Sequence, residues 1–208
     1  MSSSEAVNPV NPDADDAVWA AFNTNMGVEQ LIRFCQEDVE RLFRINPYIE
    51  YDCFEQTGDK QFHMAGKNSS QTESFQFDVR FDVIELGNGV KVQYQDGLKQ
   101  STTFLVEAAE SGAKLTISDE YRKLDEIEKQ ARLGEVDQSI VNWANDLQTF
   151  IYNWKRWGGI PPYRWYMQKV WKKLKPTGRR IAYMLIWITV FEFALIALGV
   201  GIYFAEYA

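Results

Sequence analysis

The residues from Ile181 to Phe204, IAYMLIWITVFEFALIALGVGIYF, constrain this chain more than any other stretch. They number 24. At about 1.5 Å of helical rise each, they cover the roughly 30 Å hydrocarbon core of a bilayer with some tilt to spare. Glu192 is the one ionisable residue among them, and the polar stripe of a soluble helix is absent. The expectation is one transmembrane helix over 181–204, with 205–208 as a short non-cytoplasmic tail.

The flank of this run fixes an expected orientation. Nine basic residues lie between Lys155 and Arg180, and no Asp or Glu stands between Asp146 and Glu192. The positive-inside rule then places the N-terminal part in the cytoplasm, as a single-pass protein of the cell membrane. The N-terminus, MSSSEAVNPVNPDADDAVW, is acidic and polar where a signal peptide is basic and then apolar. The chain is therefore expected to be tail-anchored.

Charge is segregated along the chain. The net charge is −7 over 208 residues; setting aside the nine basic residues of the collar leaves −16 on the rest. An acidic domain above a basic collar is a poor nucleic-acid binder, whereas the collar suits anionic lipid headgroups. Segment 158–180 is read as a basic amphipathic juxtamembrane region. Within it, Tyr163, Tyr166, Met167, Val170, Trp171 and Leu174 share one face at helical spacing. Trp165, Lys169, Trp171, Lys172, Lys173, Arg179 and Arg180 are its expected membrane-interface residues. Pro176-Thr177-Gly178 is the expected turn into the span.

The remainder reads as one domain. Residues 1–16, rich in Ser, Asn, Pro and Asp, are expected to be disordered. Ala17–Met26 reads as an opening strand. Val28–Asn46 has apolar residues at three- and four-residue spacing, the pattern of a helix or a broken helix pair, and Asn46-Pro47 ends it. From Tyr48 the period becomes two. Phe75, Phe77, Val79, Phe81 and Val83 alternate with polar residues, as in a half-exposed antiparallel strand. Gly87-Asn88-Gly89 marks a hairpin, and Lys114–Tyr121 closes a meander of about six strands. Leu124–Leu133 reads as a short helix or lid. Glu135–Trp157 reads as a long amphipathic helix with Ile140, Trp143, Leu147 and Ile151 on its apolar stripe and Asp137 on the opposite face.

Several chemistries have no support in the sequence. His63 is the single histidine, which argues against imidazole metal sites and His-dependent triads. GxGxxG, Walker A, HExxH and nucleophile-elbow patterns are absent, so no cofactor and no metal is expected. Cys35 and Cys53 lack metal-ligand spacing and read as small core residues. Asp119 shares strand parity with Leu115 and Ile117, which points it inward; a salt bridge or a solvated strand end is its leading reading, ahead of a ligand contact.

The order of elements, together with Leu42-Phe43-Arg44-Ile45-Asn46-Pro47 leading into the second strand, resembles the START-like superfamily, also called the polyketide cyclase/dehydrase and lipid-transport (SRPBCC) superfamily. The resemblance covers about 17–157. It implies an α+β helix-grip fold, a curved antiparallel sheet wrapped on a long C-terminal helix and enclosing an apolar cavity. Relatives use that cavity for lipids, sterols or hopanoids, quinones or polyketides. The cavity candidates here are Phe75, Phe77, Val79, Phe81, Tyr94, Ile117, Asp119, Trp143, Leu147 and Ile151.

The leading expectation is a membrane-anchored binding or transfer protein for a hydrophobic small molecule. Two other readings stay open. One is a cyclase- or hydratase-type enzyme, with His63, Tyr94, Asp119 and Tyr121 as nominees. The other is a non-catalytic accessory subunit of a membrane complex. A carboxylate near the bilayer midplane costs a few kcal/mol, so Glu192 is either a handle for a membrane-protein partner or a tolerated single residue.

Overall fold

Alternating side chains assemble into a seven-stranded antiparallel sheet in the computed structural model, which describes residues 17–123 and 136–207. The strands are β1 (Ala17–Thr24), β2 (Ile49–Gly58), β3 (Gln61–Asn68), β4 (Phe75–Leu86), β5 (Gly89–Tyr94), β6 (Lys99–Ala108) and β7 (Ala113–Tyr121). Their order is β1-β7-β6-β5-β4-β3-β2, so the meander runs unbroken from β2 to β7 and β1 closes on β7. The expected disordered tail and the expected Leu124–Leu133 helix or lid lie outside the described residues.

Between β1 and β2 the chain forms α1 (Val28–Glu37) and α2 (Val39–Arg44). The break is at Asp38, whose extended backbone ends α1 and whose side chain accepts the Arg41 N–H at 3.1 Å, capping α2. Helix α3 (Ile140–Trp157) lies across the concave face of the sheet. Trp143, Leu147 and Ile151 are fully buried on it. The Trp143 ring sits 5.4 Å from both Phe43 and Phe104, and its N–H donates to the Leu42 carbonyl at 2.9 Å. This is the helix-grip arrangement.

Two bulges change which side chains face inward. In β2 the register slips at Asp52, so Tyr51 and Phe54 both face the core while Cys53 turns out. In β6 it slips at Gln100: Lys99 pairs with Tyr121 and Ser101 with Glu120. One extra residue reverses strand parity, and Lys99 therefore shares the inner face with Thr102 and Phe104.

After Gly158-Gly159 the chain forms α4 (Pro161–Lys169), a short 3-10 turn (Trp171–Lys173) and α5 (Pro176–Tyr207). Helix α5 is long and apolar enough to cross a membrane, with mean hydropathy 2.3, and none of its apolar stretch is buried against the rest of the protein. Pro176 opens this helix in the first-turn position that proline suits. The change of direction therefore falls at Leu174-Lys175 and not at the expected Pro176-Thr177-Gly178.

The segment from 158 to 180 is docked on the domain. Met167 is buried, and Tyr163, Tyr166 and Trp171 pack on the core. Lys172 pairs with Asp38 at 3.0 Å and Glu40 at 2.6 Å, and Lys175 reaches Glu50 at 3.4 Å. The Arg179 guanidinium lies 3.8 Å from the Trp171 ring centroid and donates to the Trp171 and Arg44 carbonyls. Burial, then the nearby Arg44 charge, pull Arg179 down to about 10. Of the residues expected at a membrane interface, Trp165, Lys169, Lys173 and Arg180 are exposed. Trp171, Lys172 and Arg179 instead face the protein, because Phe150 of α3 packs on Trp171, Asp38 and Glu40 pair with Lys172, and Trp171 and the Arg44 carbonyl receive Arg179.

Candidate functional site

A cavity of about 270 Å³ opens between the concave side of β2–β4, the β5–β6 turn and the start of α3. Five of the ten expected cavity residues line it: Phe75, Phe77, Val79, Tyr94 and Trp143. The first three are half-buried, as walls near a mouth should be. Phe81, Ile117, Leu147 and Ile151 lie deeper and are fully buried in the core. Their role is packing, because Phe43 and Tyr94 fill the space between them and the chamber: the Phe81 ring centroid lies 6.0 Å from each. Asp119 does not line the cavity. It is fully buried directly behind a lining residue, Lys99.

Lys99 and Asp137 are two charged lining residues that strand and helix periodicity missed. Lys99 Nζ stands 2.7 Å from Asp119 Oδ2 and 3.0 Å from Asp137 Oδ2. Thr102 donates its hydroxyl to Asp119 Oδ1 at 2.5 Å, and the Thr102 and Tyr94 hydroxyls are 3.1 Å apart. Asp137 Oδ1 accepts the Ser139 N–H at 2.9 Å, and Asn46 Nδ2 donates to Ser139 Oγ at 2.6 Å. Residues 136–139 are thus held in a polar turn, and the helix expected from Glu135 begins at Ile140. The side chain of Asp137 competes with the helix for the Ser139 N–H.

Each charge in this cluster follows from its surroundings. Burial alone would lower Lys99, but Asp119 and then Asp137 outweigh it and hold the ammonium well above its ordinary value. Burial would raise Asp137, but Lys99 and the Ser139 hydrogen bonds hold that carboxyl well below the usual range. For Asp119 burial wins, raising it in spite of Lys99. Burial also pushes Tyr94 and Tyr51 up. Tyr51, missed by the sequence reading, lines the cavity and directs its hydroxyl to the Phe43 carbonyl at 3.4 Å.

The other sequence nominees lie elsewhere. His63 sits on the convex face of β3, with Nε2 2.7 Å from Asp78 Oδ1 and Nδ1 3.8 Å from Cys53 Sγ. It therefore lies on the face of the sheet opposite the cavity, in a surface position and not that of the cavity acid or base the enzyme reading would need. Tyr121 pairs in register with Lys99 and is half-buried. Cys35 is buried, and desolvation pushes its thiol up to about 12. Among the described residues, no group of three His, Cys, Asp or Glu side chains could hold a metal ion. Glu192 projects from the exposed surface of α5.

No protein-family model matches the chain, and no curated protein does. Solved structures similar to it include the Zhui aromatase/cyclase of a Streptomyces species, at 14% identity and TM-score 0.49 over 69% of this chain and 97% of that one. A Thermus thermophilus protein is similar at 12% identity and TM-score 0.48, over 65% and 96% of the two chains. A Polyketide_cyc-like protein of Corynebacterium glutamicum is similar at 12% identity and TM-score 0.39, over 70% and 96%. The architecture given above rests on the strand order and register of this chain.

Proposed function

We propose that the chain is a membrane-anchored binding protein for a hydrophobic small molecule, which it holds in the cavity between β4 and α3. The observation that supports this most directly is the cavity itself. Its walls are Phe75, Phe77, Val79, Tyr51 and Trp143, and no side chain of the described residues fills it. A concave apolar site with a few convergent polar groups is the usual form of a small-molecule site. The START-like resemblance points to the same ligand class.

The membrane-anchored part of the proposal rests on α5 and the basic residues before it. An anchor keeps the domain where an apolar ligand already partitions, which raises the effective concentration of one for the other. The excess of Lys and Arg before α5 supports a cytoplasmic domain. The docked juxtamembrane segment leaves Trp165, Lys169, Lys173 and Arg180 to meet headgroups. Catalysis has less support: Lys99 and Asp137 are held in their charged forms and Tyr94 in its neutral form, so none is poised to exchange a proton near neutral pH.

The test is native mass spectrometry, with extraction of bound small molecules, on the full chain purified from its own membranes in mild detergent. A stoichiometric apolar molecule is expected. Phe77→Asp should release it without moving the protein out of the membrane fraction. A folded protein that has no such molecule, together with a stoichiometric protein partner lost on Glu192→Leu, would replace this proposal with the accessory-subunit reading.

A further inference from the structure

Resting on that reading, we infer that the cavity selects neutral apolar molecules ending in an uncharged oxygen, a hydroxyl or a carbonyl, over carboxylic acids and amines. The inference starts from the hydrogen-bond capacity of Lys99. An ammonium has three N–H donors. Asp137 accepts one, Asp119 Oδ2 stands 2.7 Å away as an ion-pair partner without hydrogen-bond geometry and occupies the side of a second, and the third has no partner among the described residues. The Lys99 side chain is 19% exposed and lines the cavity. One strong donor is therefore available to a molecule in an otherwise apolar chamber.

Charge decides what can accept it. The lining holds Asp137 beside Lys99 and, in the β5–β6 turn, Asp96, with Asp119 fully buried behind. Carboxylates outnumber the single ammonium, so an acid head would add negative charge where negative charge already prevails. An amine head, protonated at neutral pH, has no lone pair with which to accept the Lys99 N–H and would set a second ammonium beside the first. An uncharged oxygen meets neither repulsion and accepts the third N–H. A hydroxyl also donates to Asp137, whose Oδ2 has a lone pair left after Lys99. The volume sets the size: about 270 Å³ equals the liquid volume of about nine waters at ~30 Å³ each. That suits a short chain or a small ring system and excludes a two-chain phospholipid.

The test uses the full chain in lipid nanodiscs and three photoreactive diazirine probes with the same hexyl chain, ending in an alcohol, an acid or an amine. Cross-links are mapped by peptide mass spectrometry and scaled to those on residues 181–204, which report each probe's share in the bilayer. The alcohol should label Phe75–Val79 and Tyr94 about tenfold more than either other probe, the weight of one hydrogen bond to a charged group. Lys99→Met should bring the alcohol down to the others. Asp137→Asn keeps an amide oxygen for Ser139 and removes one carboxylate; it should raise the acid severalfold relative to the alcohol, and it remains decisive where Lys99→Met does not fold. Equal labelling by acid or amine overturns the selectivity and leaves the binding proposal standing. Labelling of 181–204 with none in the cavity, by any probe, overturns both.

Discussion

Replacing Lys99 by methionine removes one positive charge from between two carboxylates, Asp119 fully buried and Asp137 4% exposed. Breaking a buried ion pair from one side costs about 3–5 kcal/mol, because the remaining charge is left uncompensated. Two features place Lys99→Met near the lower figure. Burial already favours the protonated form of Asp119, which can neutralise itself, and Asp137 keeps the Ser139 N–H. A loss of about 3 kcal/mol should lower the melting temperature by about 6–12 °C for a chain of this size. The assay is thermal unfolding of the full chain in mild detergent, followed by the fluorescence of the tryptophans, with Trp143 buried in the core. Lys99→Met/Asp119→Asn should recover at least about 1 kcal/mol of the loss, since the stranded carboxylate is gone. A Lys99→Met protein within about 0.5 kcal/mol of the parent, the usual range for an uneventful surface substitution, would refute the inward course of Lys99 at the Gln100 bulge.

Asp137 gives the acid side of the stability profile. Its carboxyl is held below its ordinary value of 3.8 in the folded protein, so the unfolded chain takes up the proton first as pH falls. Its stabilisation is complete above about pH 5 and is lost progressively as pH drops through and below 3.8; Asp137→Asn should flatten that limb in acid titrations of melting temperature. Gly112 has φ +90°, and a Cβ there would press on the Thr24 carbonyl oxygen, so Gly112→Ala should cost about 1–3 kcal/mol in the same melts. Arg179→Ala should release α5 from Trp171 and Arg44 and speed tryptic cleavage at Lys172 and Lys173 severalfold; an unchanged rate would show that these contacts do not hold the segment.

What periodicity could reach was the regular part of the molecule. Phe75, Phe77, Val79, Phe81 and Val83 do share the inner face, and the Val28–Asn46 pattern resolves into two helices. Strand parity turns Asp119 inward, and of its two expected surroundings, a salt bridge or a solvated strand end, the ion pair with Lys99 is the one present. Its partner was out of reach because the bulge at Gln100 reverses the parity of Lys99 relative to Thr102. Asp137 falls opposite the apolar stripe on a helical wheel, but the helix starts three residues later, so the wheel does not apply to it. The juxtamembrane segment shows a different limit. Tyr, Trp and Lys at helical spacing suit a lipid interface and an acidic protein surface equally, and Asp38, Glu40 and Glu50, more than 120 residues away in the chain, decide for Lys172 and Lys175.

The short connection between α4 and α5 has a mechanical result. Leu174 and Lys175 are the residues that bridge the 3-10 turn and the apolar helix, and Lys172, Lys175 and Arg179 clamp both sides of that joint to α1, α2 and β2. A domain on a loose tether sweeps a hemisphere and can find its cargo at any height above the bilayer. A domain clamped at its joint has no such sweep. In the anchored reading it would drift and spin in two dimensions with its helix, its mouth kept at one height and one inclination. Whatever enters or leaves the chamber would then be delivered by the leaflet beneath it or by a neighbour travelling in the same plane.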